Sequence, residues 1–181
     1  MRVLVDMDGV VADFSRGFLM KWRELHPNKF VPIEQRTTFY IVSDTLPEEF
    51  KPLISAIYTA PNFFRTLEPI LGSIEALHEM HALGIEVFLC TSPLAEYEHC
   101  VLEKYQWVEQ HLGREWTKRL ILTKDKTIVR ADILIDDRPH VKGVDTPIWE
   151  HVLYDQPYNR SQTHKRRVTW QSWKRVLLPT V

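Results

Sequence analysis

The sequence predicts an α/β protein, with a parallel sheet at its centre and helices on both faces. Short runs rich in Val, Ile and Leu recur along the 181 residues, and helix-patterned stretches separate them. The runs are near-continuously apolar, as strands buried on both sides are, and they end in polar residues. In an open parallel sheet those ends share one crevice.

Taken in order, the first strand is Val3-Leu4-Val5, followed at once by Asp6-Met7-Asp8-Gly9. No convincing strand appears for most of the distance from there to Ile85. Residues 14–70 read instead as helices and turns, punctuated by Pro27, Pro32, Pro47, Pro52, Pro61 and Pro69. That stretch is too long and too aromatic for a plain loop, so it is a helical insertion packed over the sheet directly after the first strand. A helix over 73–83 stops at Gly84, and Ile85 to Cys90 form the second strand, ending in Thr91-Ser92. The next helix spans 95–112 and stops at Gly113. Leu120-Ile121-Leu122 precedes Lys124-Asp125-Lys126, and Ile133-Leu134-Ile135 runs into Asp136-Asp137. A weaker strand, Val152-Leu153-Tyr154, and a helix over 169–177 complete a Rossmann-like core made of residues 1–13 and 71–181.

Composition agrees with one substantial core and a small inserted unit: 44% of residues are hydrophobic and 26% charged. A formal net charge of -1 gives no reason to expect a nucleic-acid partner, and Lys165-Arg166-Arg167 reads as a solvated turn. Cys90 and Cys100 are too few for a disulfide framework and fit a reducing compartment. The N-terminal apolar run is too short for a signal peptide, and no stretch approaches the roughly 18 apolar residues of a membrane span. A cytoplasmic chain without membrane contact is the expectation, and a homodimer is left open.

The strand ends gather carboxylates, hydroxyls and an ammonium group. This set suits phosphoryl transfer: a carboxylate can attack phosphorus, provided a metal ion neutralises its repulsion of an anionic substrate. Oxygen ligands at Asp6, Asp8 and Asp136 favour a hard cation such as magnesium. Singly, each piece has an ordinary reading, since an Asp at a strand end commonly caps a turn and Lys126 could be a solvated surface charge. It is their order, each at the end of an apolar strand, that favours chemistry. His99, His111 and His151 have no partners at metal-ligand spacing, and Cys90 reads as packing.

Asp6-Met7-Asp8-Gly9-Val10, Thr91, Lys126 and Asp136-Asp137 resemble, in that order, the four motifs of the haloacid dehalogenase-like hydrolases. The chain is most similar to their 5'(3')-deoxyribonucleotidase branch, through Cys90-Thr91-Ser92-Pro93-Leu94, Glu103-Lys104-Tyr105, Trp107 to His111, Ile121 to Thr127, Asn62-Phe63-Phe64 and Leu67-Glu68-Pro69. The resemblance implies a magnesium-dependent phosphatase acting on nucleoside monophosphates. Asp6 would be the nucleophile and a metal ligand. Asp8 would act as acid and base while its carbonyl binds the metal. Thr91 and Lys126 would hold phosphate oxygens, Asp136 would complete the ligands and Asp137 would sit close by. Ser92 and Lys104 match positions lining the phosphate pocket.

The same resemblance makes residues 14–70 a cap that reads the leaving group. Ten of the twenty aromatic residues lie between Phe14 and Phe64. Phe18, Trp22, Phe30 and Phe50 are expected to pack the cap; Phe14, Phe39, Tyr40 and Tyr58 match the base pocket, where aromatic faces stack on nucleobases. Trp107, Trp116, Trp170 and Trp173 read as core. Two competing readings are a phosphatase of the same kind for a phosphosugar, and a silent binding protein on the same scaffold. Aromatic enrichment opposes the first, and the presence of Asp6, Asp8, Lys126 and Asp136 opposes the second.

Overall fold

The structure is a computed structural model and describes residues 1–29, 36, 38–41 and 48–178. Phe30, expected in the packing of the insertion, lies outside the described residues. The sheet holds β1 (Arg2–Val5), β2 (Glu86–Thr91), β3 (Leu120–Leu122), β4 (Ile133–Asp136), β5 (Glu150–Tyr154) and β6 (Arg167–Val168), in the order β3-β2-β1-β4-β5-β6. Every pairing is parallel. Val5 registers with both Leu89 and Ile135, so β4 runs one residue and β2 two residues beyond the end of β1. The chain runs outward from β1 through β2 to β3 and then returns to the other side of β1. The order therefore reverses beside β1, where an open α/β sheet forms its ligand crevice.

The helices are α1 (Phe14–Leu25), α2 (Phe50–Tyr58), α3 (Ser73–Ala82), α4 (Tyr97–Leu112) and α5 (Trp173–Leu177). Gly84 (φ 78°) and Gly113 (φ 96°) supply the positive φ expected where α3 and α4 stop. The expected helix at 169–177 begins four residues late, because Thr169 donates its backbone N–H to Ser172 Oγ (2.9 Å) and forms a turn instead.

Alternation along the strands separates two apolar clusters. Val3, Val5, Val87, Leu89, Ile133 and Ile135 share one with the buried side chains of the helices. Leu4, Cys90 and Leu134 face the other way, closed by Ala131 and Trp149 with Val129 and Val141 against them. On that second face the described helical structure is the 3-10 turn Lys126–Ile128, and connections supply the remaining cover. Between β3 and β4 length is the reason: only about ten residues join them, too few for a turn and a full crossover helix.

Helices α1 and α2 join the helix-side cluster through Phe18, Trp22, Ile54 and Ile57. Trp22 stacks on Phe18 (5.9 Å) and Phe50 (5.8 Å). Outgoing and returning chains lie side by side, with Asp13 N donating to Glu68 O and Ile70 N to Val11 O, both at 2.8 Å. Trp107, Trp116, Trp170 and Trp173 are all buried.

Lys165-Arg166-Arg167 is not a solvated turn. Lys165 Nζ reaches Pro139 O (2.7 Å) and His151 Nδ1 (2.8 Å), Arg166 grips Glu150 with two nitrogens, and Arg167 begins edge strand β6 while bonding Asp155 and Asn159. A two-residue strand carries too little periodicity to be read from sequence. Burial and Lys165 push His151 down to about 4, leaving the ring neutral at physiological pH.

Candidate active site

Strand register brings the polar strand ends together. Asp6 follows β1, Thr91 ends β2, Lys126 opens the turn after β3 and Asp136 ends β4, all of them buried. Lys126 Nζ lies between two carboxylates, 2.8 Å from Asp6 Oδ1 and 2.6 Å from Asp136 Oδ2. Lys104, buried on α4, reaches Asp8 Oδ2 at 2.6 Å and Thr91 Oγ1 at 3.0 Å. One ammonium thus serves each of the two acids of the Asp6-Met7-Asp8 turn.

Asp136 Oδ1 accepts the Arg138 N–H at 2.8 Å. Asp137 is fixed from the connection after β5: Tyr158 OH donates to its Oδ2, and Asn159 Nδ2 donates to its carbonyl at 2.8 Å. Gly9 (φ 79°) is demanded by this crowding, since a Cβ there would lie 2.4 Å from Asp137 Oδ2.

The electrostatics follow from burial. Desolvation raises the Asp6 carboxyl above its usual range; Lys126 pulls it back and Asp136 pushes it further. Asp8 is raised by desolvation, against the pull of Lys104. Asp137 is raised well above the ordinary value by desolvation and by the charges of Asp136 and Asp6. Lys126 resists its own desolvation because Asp136 and Asp6 hold its proton. The Cys90 thiol is pushed up to about 12 by burial and is no nucleophile at neutral pH.

Asp6, Asp136 and Asp137 offer oxygens that all lie within 4.8 Å of one another. Among the described residues, Asp8 Oδ1 and Asp137 Oδ1 are buried without a hydrogen-bond partner. Oxygen-only donors, orphaned carboxylate oxygens and raised carboxyls together fit a hard divalent cation. The Asp8 carboxylate stands outside this trio, engaged by Lys104.

Two adjoining pockets meet at Asp8, Phe39, Tyr40 and Leu94. One, of about 290 Å³, holds Asp6, Thr91, Ser92, Lys126 and Asp136, with Lys124, Arg138 and Lys142 at its edge. The other, of about 280 Å³, is lined by Phe14, Phe39, Tyr40 and Tyr58 together with Ile41, Arg36 and Tyr158. Phe14 packs against Phe63 (5.3 Å) and lies 6.4 Å from Tyr58, so it is held on one side and open on the other. The structure therefore gathers every site residue expected from the sequence around one divided cavity. Ser92 lines its polar half; Lys104 stands behind it, its ammonium on Asp8 and Thr91.

Sequence reasoning missed Tyr158 and Arg36. Tyr158 follows no recognisable strand-end signature, and Arg36 sits in a proline-punctuated stretch without periodicity. Arg138 could have been found, since it directly follows Asp136-Asp137; its Nη2 donates to Tyr40 OH across the pocket.

Residues 1–179 match the family described as 5' nucleotidase, deoxy (pyrimidine), cytosolic type C protein. The chain is 52% identical over 178 residues to a Bordetella pertussis protein that bears the name 5'(3')-deoxyribonucleotidase provisionally, covering 98% of this chain and 95% of that one. It is 46% identical over 186 residues to the human cytosolic-type 5'(3')-deoxyribonucleotidase, covering 97% and 92%. Among solved structures, it shares the fold of an HAD family hydrolase from Deinococcus radiodurans R1 at a TM-score of 0.54 and 12% identity, covering 99% and 98%.

Proposed function

The chain belongs to the 5' nucleotidase, deoxy (pyrimidine), cytosolic type C family, and on that premise we propose that it hydrolyses deoxyribonucleoside monophosphates with magnesium through an aspartyl-phosphate on Asp6. The observation that carries this reading is the divided cavity: a carboxylate and ammonium half joined at Asp8 to an aromatic half of about 280 Å³.

Asp6 attacks phosphorus, and the bond to the ester oxygen breaks. Asp8, its carboxyl raised by desolvation, gives the leaving oxygen its proton, then takes one from the water that cleaves the aspartyl-phosphate. Thr91, Ser92 and Lys126 hold the phosphate oxygens, and Lys104 fixes Asp8 and Thr91 relative to each other. Asp6, Asp136 and Asp137, with the Asp8 carbonyl, are the residues that would hold the cation, which screens the carboxylates from the anionic ester and stabilises charge on phosphorus. The aromatic half takes the nucleoside, with Phe14, Phe39, Tyr40 and Tyr58 around the base. Among the described residues no helix is long and apolar enough to cross a membrane, and the small-molecule substrate fits a cytoplasmic setting.

The test compares a deoxyribonucleoside monophosphate with deoxyribose 5-phosphate. One stack worth about 1–3 kcal/mol corresponds to roughly 5–150-fold in kcat/KM, and Phe14→Ala or Tyr58→Ala should shrink that ratio while base-free turnover persists. Equal hydrolysis of both esters by the wild-type protein would remove the nucleotidase reading and leave the Asp6 chemistry standing.

A further inference from the structure

The segment that follows β5 closes the site on a side the strand-end motifs leave open. Gln156 Nε2 donates to Gly9 O at 2.7 Å, Asn159 Nδ2 to Asp137 O and Tyr154 O at 2.8 Å, and Tyr158 OH to Asp137 Oδ2. Tyr158 has a second set of contacts with the region between α1 and α2. The Arg36 guanidinium lies 3.7 Å above the centre of its ring, and Phe39 meets the ring edge-on at 6.2 Å. One side chain thus touches the carboxylate trio with its hydroxyl and the wall of the aromatic pocket with its ring.

We propose that Tyr158 is a positioning residue with two separable duties: its hydroxyl orients Asp137 for the cation, and its ring seats Arg36 so that the pocket closes around the nucleoside. The second duty rests on the nucleotidase reading above; the first needs only a cation site at Asp6, Asp136 and Asp137.

The geometry supports both duties. A carboxylate turning freely between two like charges would swing away from them; a hydrogen bond to Oδ2 holds it in place and leaves Oδ1 buried with no hydrogen-bond partner. Gly9 leaves just enough room for the contact, since a Cβ there would also lie 2.9 Å from the Tyr158 oxygen. Arg36 Nη2 makes a long contact with Ser15 Oγ, 3.4 Å, and its guanidinium is also drawn toward the Tyr158 hydroxyl and the Asp137 charge, so Tyr158 is its principal seat.

Two variants separate the duties. Tyr158→Phe keeps the ring and removes the hydroxyl; magnesium titrated calorimetrically into the substrate-free protein should bind about 10–100-fold more weakly. Arg36→Gln should not weaken magnesium binding, since it removes a positive charge felt at Asp137, and should raise KM for a deoxyribonucleoside monophosphate by about 2–30-fold, with a smaller change in kcat. That increase should persist in the Tyr158→Phe background and disappear in Tyr158→Leu, which has no ring. Thermal melts accompany each variant; if Tyr158→Leu does not fold, the Tyr158→Phe and Arg36→Gln measurements decide the matter. Unchanged magnesium affinity in folded Tyr158→Phe overturns the first duty. An unchanged KM in Arg36→Gln, or an equal increase without the ring, overturns the second. If the wild-type protein hydrolyses no nucleoside monophosphate, the nucleotidase reading and the second duty fall together, while the calorimetric result still decides the first.

Discussion

Lys104 and Lys126 are both buried cations, yet they sit on different acids. Lys126 bridges Asp6 and Asp136, holding negative charge where a phosphate and a cation would meet. Lys104 touches Asp8 and Thr91, and both its charge and its hydrogen bond lower an Asp8 carboxyl that desolvation raises. Replacing Lys104 by Met removes both lowering influences, so Asp8 should keep its proton to higher pH. The basic limb of the kcat profile, set by loss of that proton, should then move upward, alongside a fall in rate from the loosened Asp8. A pH–rate series on the variant checks this, and a basic limb that stays still or moves down would count against Asp8 as the acid. Asp8 and Thr91 were legible in the sequence as polar strand ends. That Lys104 joins them was legible only through family resemblance, because a Lys in mid-helix reads as surface until the helix is docked.

Helix α4 is the element that ties the insertion to the site. Its buried face carries Glu103, Lys104, Trp107 and Val108. Glu103 accepts the backbone N–H groups of Asn62 and of Phe64 (3.0 Å for the latter), while Trp107 Nε1 donates to Leu67 O at 2.8 Å. The returning chain is therefore clamped by the neighbours of the residue that holds Asp8. Asn62 occupies the left-handed region at φ 70°, which Asn tolerates better than most residues, and the Glu103 carboxylate satisfies the N–H that this turn presents. Glu103→Leu should take the acceptor from both donors. Asn62 is exposed and its N–H can turn to water, so at about 1–3 kcal/mol for the buried Phe64 donor urea unfolding should give a loss of roughly 1–3 kcal/mol, with Glu103→Gln losing less because its amide oxygen still accepts. A loss under 1 kcal/mol in Glu103→Leu would show the clamp to be dispensable. The helix itself was legible from its periodicity and from Gly113; the clamp was not, since its partners are about forty residues away.

For the whole molecule, a formal net charge of -1 conceals a concentration of buried acid at one end of the sheet. Asp6, Asp8 and Asp137 all have raised carboxyls, so above about pH 4 these three groups bind more protons in the folded protein than in the unfolded chain, whereas His151, held down to about 4, binds fewer. Their contribution to stability is present at low pH and is lost as pH rises through the raised values. Lys126 is shifted upward, which places its own pH dependence in the alkaline range. The contribution of this group of acids to the Tm of metal-free protein should accordingly fall as pH rises, opposite in sign to that of His151. Magnesium, which binds the ionised form, should restore it, by about 2.7 kcal/mol when present at 100 times its Kd. The rise in Tm on adding magnesium should be larger at pH 8 than at pH 5, and Asp137→Asn should raise the metal-free Tm at pH 8 while blunting the response. Scanning calorimetry with and without chelator tests all of this; a magnesium response that is equal at the two pH values would contradict it.

By itself the sequence determined the α/β class, the order of five of the six strands and the polar ends that converge. Apolar periodicity and strand-end chemistry are local properties, and they survive without knowledge of the fold. The tertiary structure alone decided where the chain order reverses, how the aromatic half of the cavity joins the charged half, and why Asp137 has Tyr158 beside it. Those contacts join residues far apart in the chain, so they depend on how elements dock rather than on any pattern within them. The same holds for Lys165 to Arg167: three basic residues in a row suggest a solvated surface until Glu150, Asp155 and Asn159 are brought against them by the edge of the sheet.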